Sequence, residues 1–208
     1  MLRPVNAFLV GLAAGYGVAI PVGAIAVLIV RTGVGRGFRI AAAAGAGAAT
    51  ADLVYALAAV LAGAVLVDAI APILTPVRLT AAAVLVGLAA RTVIGRDAGP
   101  RAPGSTGADP ATRTYALFVG LTLLNPTTVA YFVSLAIGLP EIAQDVGARL
   151  SFAMGAAVAS LSWQTLLAGI GAILHARLDA RMMRATSIVS AVILLAFALR
   201  IAADALSI

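Results

Sequence analysis

Along the whole chain, apolar residues fall in runs of about 20 that are separated by short polar connections, and such a run crosses a bilayer core as one helix. The pattern predicts an all-α membrane protein with six transmembrane helices. The predicted spans are roughly Ala7–Val30, Ile40–Val67, Leu79–Ile94, Tyr115–Gly138, Leu150–Leu174 and Thr186–Leu206.

Proline interrupts the first and the fourth of these spans. The first contains Pro21-Val22-Gly23, and the fourth contains Asn125-Pro126-Thr127-Thr128. A proline inside a helix removes a backbone donor and frees a carbonyl one turn earlier. Lipid tolerates this only where protein or a polar cavity satisfies the freed groups. Broken helices at corresponding places in two halves are typical of a secondary transporter's binding site, whereas a plain structural kink is the alternative for either proline alone.

The longest connection, residues 96–113, divides the single predicted domain into halves of three spans, residues 1–95 and 114–208. Its Gly, Pro and Ser content is typical of a mobile linker. Because three is an odd number, the second half must cross the membrane in the opposite orientation. We therefore expect two inverted three-helix repeats. Residues 8–12 resemble residues 117–121, although chance likeness between apolar segments is the alternative.

The 14 basic residues are all arginine, and their placement predicts the orientation. Ten lie in or beside the first, third and fifth connections, and four lie elsewhere. Since arginine-rich short loops stay in the cytoplasm, both termini are expected outside, in a bacterial cytoplasmic membrane. Topology also explains the net charge of +6, so we expect no nucleic-acid partner.

The composition excludes several other classes of site. The chain has no cysteine and one histidine, which rules out disulfides, thiolate metal sites and multi-histidine metal sites. No Ser/His/Asp set lies inside the predicted spans, so we do not expect an enzyme. We also expect no metal and no cofactor.

Asp52 is the only acidic residue well inside a predicted span. A charged side chain at the bilayer centre costs about 2.5–3.5 kcal/mol even on a mild scale, so such residues are usually functional. We expect Asp52 to carry a proton or to pair with a substrate cation. The alternative is a protonated acid that makes one structural hydrogen bond. Small residues at helical spacing favour a packed helix interface around it: Gly45, Ala49, Ala56 and Gly63.

Other candidate residues lie beside the breaks and on the fifth span. A half-helix that begins after a break presents unpaired amides to which a carboxylate can bind, and Gly23 allows a ligand to approach the backbone closely. Pro21 and Pro126 would create the breaks. The remaining candidates offer polar groups: Asn125, Thr127 and Thr128 at the second break, Tyr55 as a hydrogen-bond partner for Asp52, and Trp163 in a polar patch.

At these residues the chain resembles the LysE/RhtB family of amino-acid exporters. The motifs are Pro21-Val22-Gly23, the arginine-containing turn of residues 31–37, the glycine-rich segment that ends in Asp52, and residues 124–128, Leu-Asn-Pro-Thr-Thr. One departure is that Ala24 and Ile25 follow the glycine, where family members usually have a second proline and then a polar residue. The resemblance implies six helices, two inverted halves and export of a small amino acid or related solute.

The leading functional hypothesis is therefore proton-coupled export of an amino acid or similar small zwitterion by a lipid-embedded transporter. A divalent metal exporter is an alternative, but one intramembrane acid is too few for a hard cation that prefers several oxygen ligands. A non-transporting membrane scaffold would explain the spans, but it would explain neither the paired breaks nor Asp52. Whether the chain forms a homo-oligomer stays open.

Overall fold

The computed structural model describes residues 4–21, 23–70, 73–93, 109–138, 145–177 and 180–206. Over these ranges the chain is all-α, with eight helices and no strand. The helices are α1 (Pro4–Ala19), α2 (Ala24–Arg36), α3 (Phe38–Ile70), α4 (Leu74–Val93), α5 (Pro110–Leu123), α6 (Pro126–Gly138), α7 (Val146–Arg177) and α8 (Ala180–Leu206).

The first and fourth predicted spans are each two helices. The axes of α1 and α2 differ by 76°, and those of α5 and α6 by 61°. Within the described ranges, α3 and α7 are long and apolar enough to cross a membrane, and counting each bent pair as one span raises the total to four. The helices α4 and α8 contain shorter apolar segments, Thr75–Ala90 and Ile188–Ala203. Length and composition therefore support two to four spans, fewer than the six predicted.

The long helices α3 and α7 pack against each other in the middle of the fold. The helix α1 packs on α7 and α5 packs on α3, while α4 packs against α8. Small residues allow the close approach between α1 and α7. A Cβ atom added at Gly11 would fall on the carbonyl of Phe152, and one added at Gly15 would lie 2.8 Å from the Cβ of Ala159.

The predicted linker is partly helical, because α5 begins at Pro110 and residues 110–113 belong to it. Residues 96–108 of that connection, like the acidic loop at 139–144, lie outside the described residues. The start of α5 contacts the connection between α2 and α3. Arg39 pairs with Asp109 at 3.1 Å, and Arg36 donates to the Thr114 hydroxyl at 3.2 Å.

Large apolar side chains are exposed along α7 and α8, among them Leu166, Ile173, Val192 and Leu199. Soluble monomers rarely expose a contiguous apolar patch larger than a few hundred Å². These outer faces suit contact with the acyl chains of a bilayer.

Candidate functional site

A cavity of about 330 Å³, which we call the main cavity, lies between the two breaks. The ends of α1 and α5, the starts of α2 and α6, and residues of α4 and α8 form its wall. Six predicted site residues line it: Pro21, Gly23, Asn125, Pro126, Thr127 and Thr128. The fold thus brings together two segments that lie far apart in the sequence.

A second cavity of about 40 Å³, the small cavity, adjoins the main cavity. The two share several lining residues, including Pro21, Gly23, Asn125 and Thr128. The small cavity also reaches Asp52 on α3 and Gln164 on α7, neither of which lines the main cavity. Asp52 therefore lines the small cavity and does not contact the space of the main cavity.

At the second break, the helix that follows begins with a side-chain cap. The side chain of Asn125 caps α6, since its Oδ1 accepts the Thr127 amide at 3.2 Å and its Nδ2 donates to the Thr128 hydroxyl at 3.0 Å. Pro126 is the first residue of α6, where a missing N–H costs nothing because that donor has no partner in a helix anyway. Asparagine followed by proline is a strong start signal for a helix. Asn125, more than Pro126, accounts for the start of α6.

The carbonyls that the second break frees also have partners. The Thr122 carbonyl accepts the Asn125 amide at 3.0 Å, and the Leu123 carbonyl accepts the Tyr55 hydroxyl at 2.5 Å. The Tyr55 hydroxyl thus donates to the Leu123 carbonyl, and the hydrogen bond expected between Tyr55 and Asp52 is not among those of the described residues. The ring of Tyr55 stacks on Phe132, with centroids 6.0 Å apart. Tyr55 thus completes the backbone hydrogen bonding of the second break.

The first break begins differently. Gly23 precedes α2 and provides no side-chain cap. The helical ladder starts with the Val27 amide on the Gly23 carbonyl at 3.2 Å, so the amides of residues 24–26 precede it. Gly23 has φ −115° and ψ −179°, an extended conformation open to any residue. A Cβ atom added there would meet only the Pro21 carbonyl oxygen, at 3.9 Å, which shows how open the space beside it is.

Asp52 is buried, with 3% of its surface exposed. The Ser160 hydroxyl on α7 donates to its Oδ2 at 2.6 Å. Two buried oxygens of other residues that line the small cavity, Thr122 Oγ1 and Gln164 Oε1, have no hydrogen-bond partner among the described residues. Buried polar atoms without a protein partner are usually hydrogen-bonded to water.

Trp163 lines neither cavity, and its buried Nε1 has no partner among the described residues. The polar patch of α7 contributes Ser160 and Gln164 to the surroundings of Asp52 instead. A functional role for Trp163 stays a prediction. Along a helix, only residues spaced three or four apart share a face, and Ser160 and Gln164 have that spacing.

Arg200 was missed as a site residue. It lies on α8 and lines the main cavity, although the sequence analysis counted it only toward the orientation. Among the described residues that line this cavity it is the only charged one. Its position inside the predicted sixth span is the signal that could have identified it, because arginine at membrane depth usually marks function.

Comparison with protein families matches residues 17–205 to the family described as LysE type translocator. No match was found among curated proteins or among solved structures. The matched residues include both breaks, both cavities and Arg200. The chain therefore belongs to the LysE-type translocator family.

Proposed function

We propose that this chain exports an amino acid or similar small zwitterion through the main cavity, with a proton as the coupling ion. LysE-type translocators are membrane exporters and not enzymes. The observation that carries the proposal is the main cavity itself, which lies between two broken helices, where secondary transporters bind their solutes. Within the described ranges, no group of three His, Cys, Asp or Glu residues could hold a metal ion, so no observation favours the metal exporter.

The first break supplies the groups for a solute carboxylate. The start of α2 carries a partial positive charge, and its first amides have no intrahelical acceptor. Gly23, Ala24 and Ile25 line the main cavity, so a carboxylate can approach these amides from the cavity. The second break supplies hydroxyls at Thr127 and Thr128 for polar groups of the solute.

Asp52 is the proposed coupling residue. It lies beyond the main cavity, and the small cavity connects the two. A space of about 40 Å³ exceeds the roughly 10–15 Å³ that one water molecule needs. Water in it would bond to Thr122 Oγ1 and Gln164 Oε1 and carry a proton between Asp52 and the solute space. Asp52 and the solute would then exchange protons without direct contact.

Packing supports the two inverted repeats. The contact between α1 and α7 has a counterpart between α5 and α3, and those of α2 with α7 and α8 have counterparts between α6 and the helices α3 and α4. A Cβ added at Gly155 would lie 2.8 Å from the Leu12 amide, and one added at Gly47 would lie 3.1 Å from the Val119 amide. The two helix contacts thus use equivalent glycines.

The register of the proposed repeat would put Asp52 at the centre of that repeat. Ser160 follows Asp52 by 108 residues, which is also the separation of Gly155 from Gly47 and of Val146 from Phe38. Equivalent residues of two halves meet each other only at the axis that relates them. The Asp52–Ser160 hydrogen bond would therefore lie on that axis, near the membrane midplane and equally far from both sides.

The orientation is a separate proposal, with both termini outside the bacterial cytoplasmic membrane. The contacts of Arg36 and Arg39 with the start of α5 place the first connection beside the end of the third, as expected if both face the cytoplasm. The chain has no cysteine, so single cysteines report sidedness directly. If a thiol at residue 105 reacts with an impermeant reagent added outside intact cells, the true topology is the inverse of the proposed one.

The experiment for function measures solute efflux from loaded vesicles with and without a proton gradient. Asp52→Asn keeps the shape and can still accept from Ser160, but it cannot change charge. We expect it to fold and to lose gradient-driven transport while retaining solute exchange. Asp109→Asn, which removes an exposed acid, is the matched control and should transport normally. Normal gradient-driven efflux by Asp52→Asn, or efflux driven by sodium alone, would contradict proton coupling.

A further inference from the structure

Among the described residues that line the main cavity, one is charged, and its charge is positive. That residue is Arg200, and none of the described lining residues is acidic. No hydrogen bond or ion pair links Arg200 to another part of the chain that the structure describes. An arginine at membrane depth is costly unless it faces an aqueous cavity or a counter-charge. A ligand carboxylate is the counter-charge that this cavity can accommodate.

Much of the remaining wall is aliphatic or aromatic. Val84 and Leu85 on α4, Leu121 on α5, and Phe197 and Ile201 on α8 line the cavity. The volume of about 330 Å³ lies at the lower end of the roughly 300–1,000 Å³ typical of ligand pockets. The cavity thus fits a small molecule with one apolar end and one anionic end.

Asp52 does not offset the charge of Arg200 for a bound solute. It lines the small cavity and not the main one, and its Oδ2 accepts from Ser160. An ammonium group in the main cavity would therefore meet no carboxylate among the described lining residues, while Arg200 would repel it.

We propose that Arg200, together with the first amides of α2 that also line the main cavity, binds the carboxylate of the transported solute, and that the main cavity selects aliphatic carboxylates against cationic solutes. This rests on the proposed export function and specifies its substrate class. Guanidinium pairs with carboxylate through two parallel hydrogen bonds, which fixes the orientation of the solute as well as binding it. The aliphatic side chain then lies along α4 and α8.

The alternative use of the Arg200 charge is local. In the sequence Asp204 follows Arg200 by four residues, the spacing of an ion pair along one helix. If that pair were the purpose of Arg200, Asp204→Asn and Arg200→Gln would have the same effect on solute binding. Our proposal expects Asp204→Asn to bind solute as the unaltered chain does.

The test measures binding of four probes to the purified full chain in lipid nanodiscs. L-Leucine carries carboxylate and ammonium, 4-methyl-2-oxopentanoate carries the carboxylate alone, 3-methylbutylamine carries the ammonium alone, and L-lysine adds a second cation. We expect the two aliphatic carboxylates to bind and both cationic probes to bind about tenfold more weakly or not at all.

Three variants separate the role of Arg200 from a general effect of charge. Arg200→Gln should weaken binding of both carboxylates about tenfold or more, the loss expected for one charge-assisted contact, and Arg200→Lys should recover part of it. Arg39→Gln removes an exposed arginine that pairs with Asp109 and should change nothing.

The outcomes also separate this inference from the export function. Lysine that binds and is exported as well as leucine would overturn the inference and leave export intact. Unchanged leucine binding by Arg200→Gln would do the same. Binding of neither aliphatic carboxylate by the unaltered chain would overturn the inference as well. Failure of every amino acid to be exported from gradient-bearing vesicles would instead overturn the proposed function.

Discussion

The two interruptions of this chain look alike in sequence but differ in how each following half-helix begins. At the second, Asn125 caps α6 and proline occupies the first helical position, so the only first-turn donor left is the Thr128 amide. At the first, Gly23 provides no cap, and three amides, those of residues 24–26, precede the helical ladder of α2. Proline alone does not predict whether the first amides of the half-helix after a break are capped.

Because of this difference, we propose different roles for the two breaks. Uncapped amides at a helix start form an anion site, so the first break is where a solute carboxylate meets the backbone. At the capped second break, Asn125 and Tyr55 satisfy all the freed backbone groups but the Thr128 amide, so this break holds the shape of the wall and offers side-chain hydroxyls. Substitutions at the two breaks should therefore fail in different ways.

Gly23→Leu should have the largest effect. The added Cβ atom would meet only the Pro21 carbonyl oxygen, at 3.9 Å, and the rest of the side chain can extend into the main cavity, so the protein should insert and fold normally. The side chain would occupy the main cavity beside the amides of α2, and we expect efflux to fall about tenfold or more. Gly87→Leu is the matched control, because its added Cβ also has open space but does not face the cavity. Equal efflux by the two variants would contradict an anion site at the first break.

Asn125→Ala should chiefly lower stability. Loss of a helix cap costs about 1 kcal/mol, which corresponds to roughly 2–4 °C in melting temperature for a chain of this size. Efflux should fall severalfold, since Thr127 and Thr128 lose their fixed positions. Asn125→Ser retains a capping oxygen and should recover most of the melting temperature. If serine recovers no more than alanine does, capping is not the role of Asn125.

The variants Tyr55→Phe and Tyr131→Phe each remove one tyrosine hydroxyl that donates to a backbone carbonyl near one of the breaks. The Tyr55 hydroxyl supports the second break through the Leu123 carbonyl, whereas the Tyr131 hydroxyl donates to the Ala14 carbonyl of α1 at 2.9 Å. Each change to phenylalanine should lower the free energy of unfolding by about 1 kcal/mol. Only Tyr131 lines the main cavity, so only Tyr131→Phe should also change solute affinity. A changed affinity in Tyr55→Phe would mean that the second break contacts the solute more directly than we propose.

Pro126→Ala should have the smallest effect. An alanine N–H at the first helical position would have no intrahelical acceptor, and Asn125 would still start the helix. We expect efflux within about twofold of the unaltered chain and a melting temperature within the roughly 2–4 °C that 1 kcal/mol represents. Loss of most efflux would show that proline itself holds the break open.

The sequence predicted the breaks and the helical class because proline and long apolar runs constrain the backbone locally. It also predicted the burial of Asp52 correctly, because small residues surround it at helical spacing. It did not predict that α1 and α2 are separate helices at 76°, since an angle depends on tertiary packing. The six spans and the inverted repeat remain predictions, since length and composition support two to four spans within the described ranges.

The candidate site was predicted less completely. Residues on the two breaks were found because unusual backbone leaves a signature in sequence, as at Gly23 and Asn125. The hydrogen bond from the Tyr55 hydroxyl to the Leu123 carbonyl was not predicted, because hydrogen bonds between distant helices depend on how those helices are rotated about their axes. Arg200 was counted only for its charge, and its place in the main cavity follows from the packing of α8 near both breaks.

Protection of a thiol at the first break is the most direct test of whether the solute binds at the uncapped start of α2. Gly23→Cys, Thr127→Cys and Gly87→Cys would each place one thiol in a chain that has none, at the open break, at the capped break and away from the cavity. The measurement is the rate of modification by a small thiol reagent, with and without a saturating concentration of the exported solute. We expect the solute to slow modification strongly at position 23, more weakly at position 127 and not at all at position 87. A rate at position 23 that the solute does not change, with slowing confined to 127, would contradict that expectation.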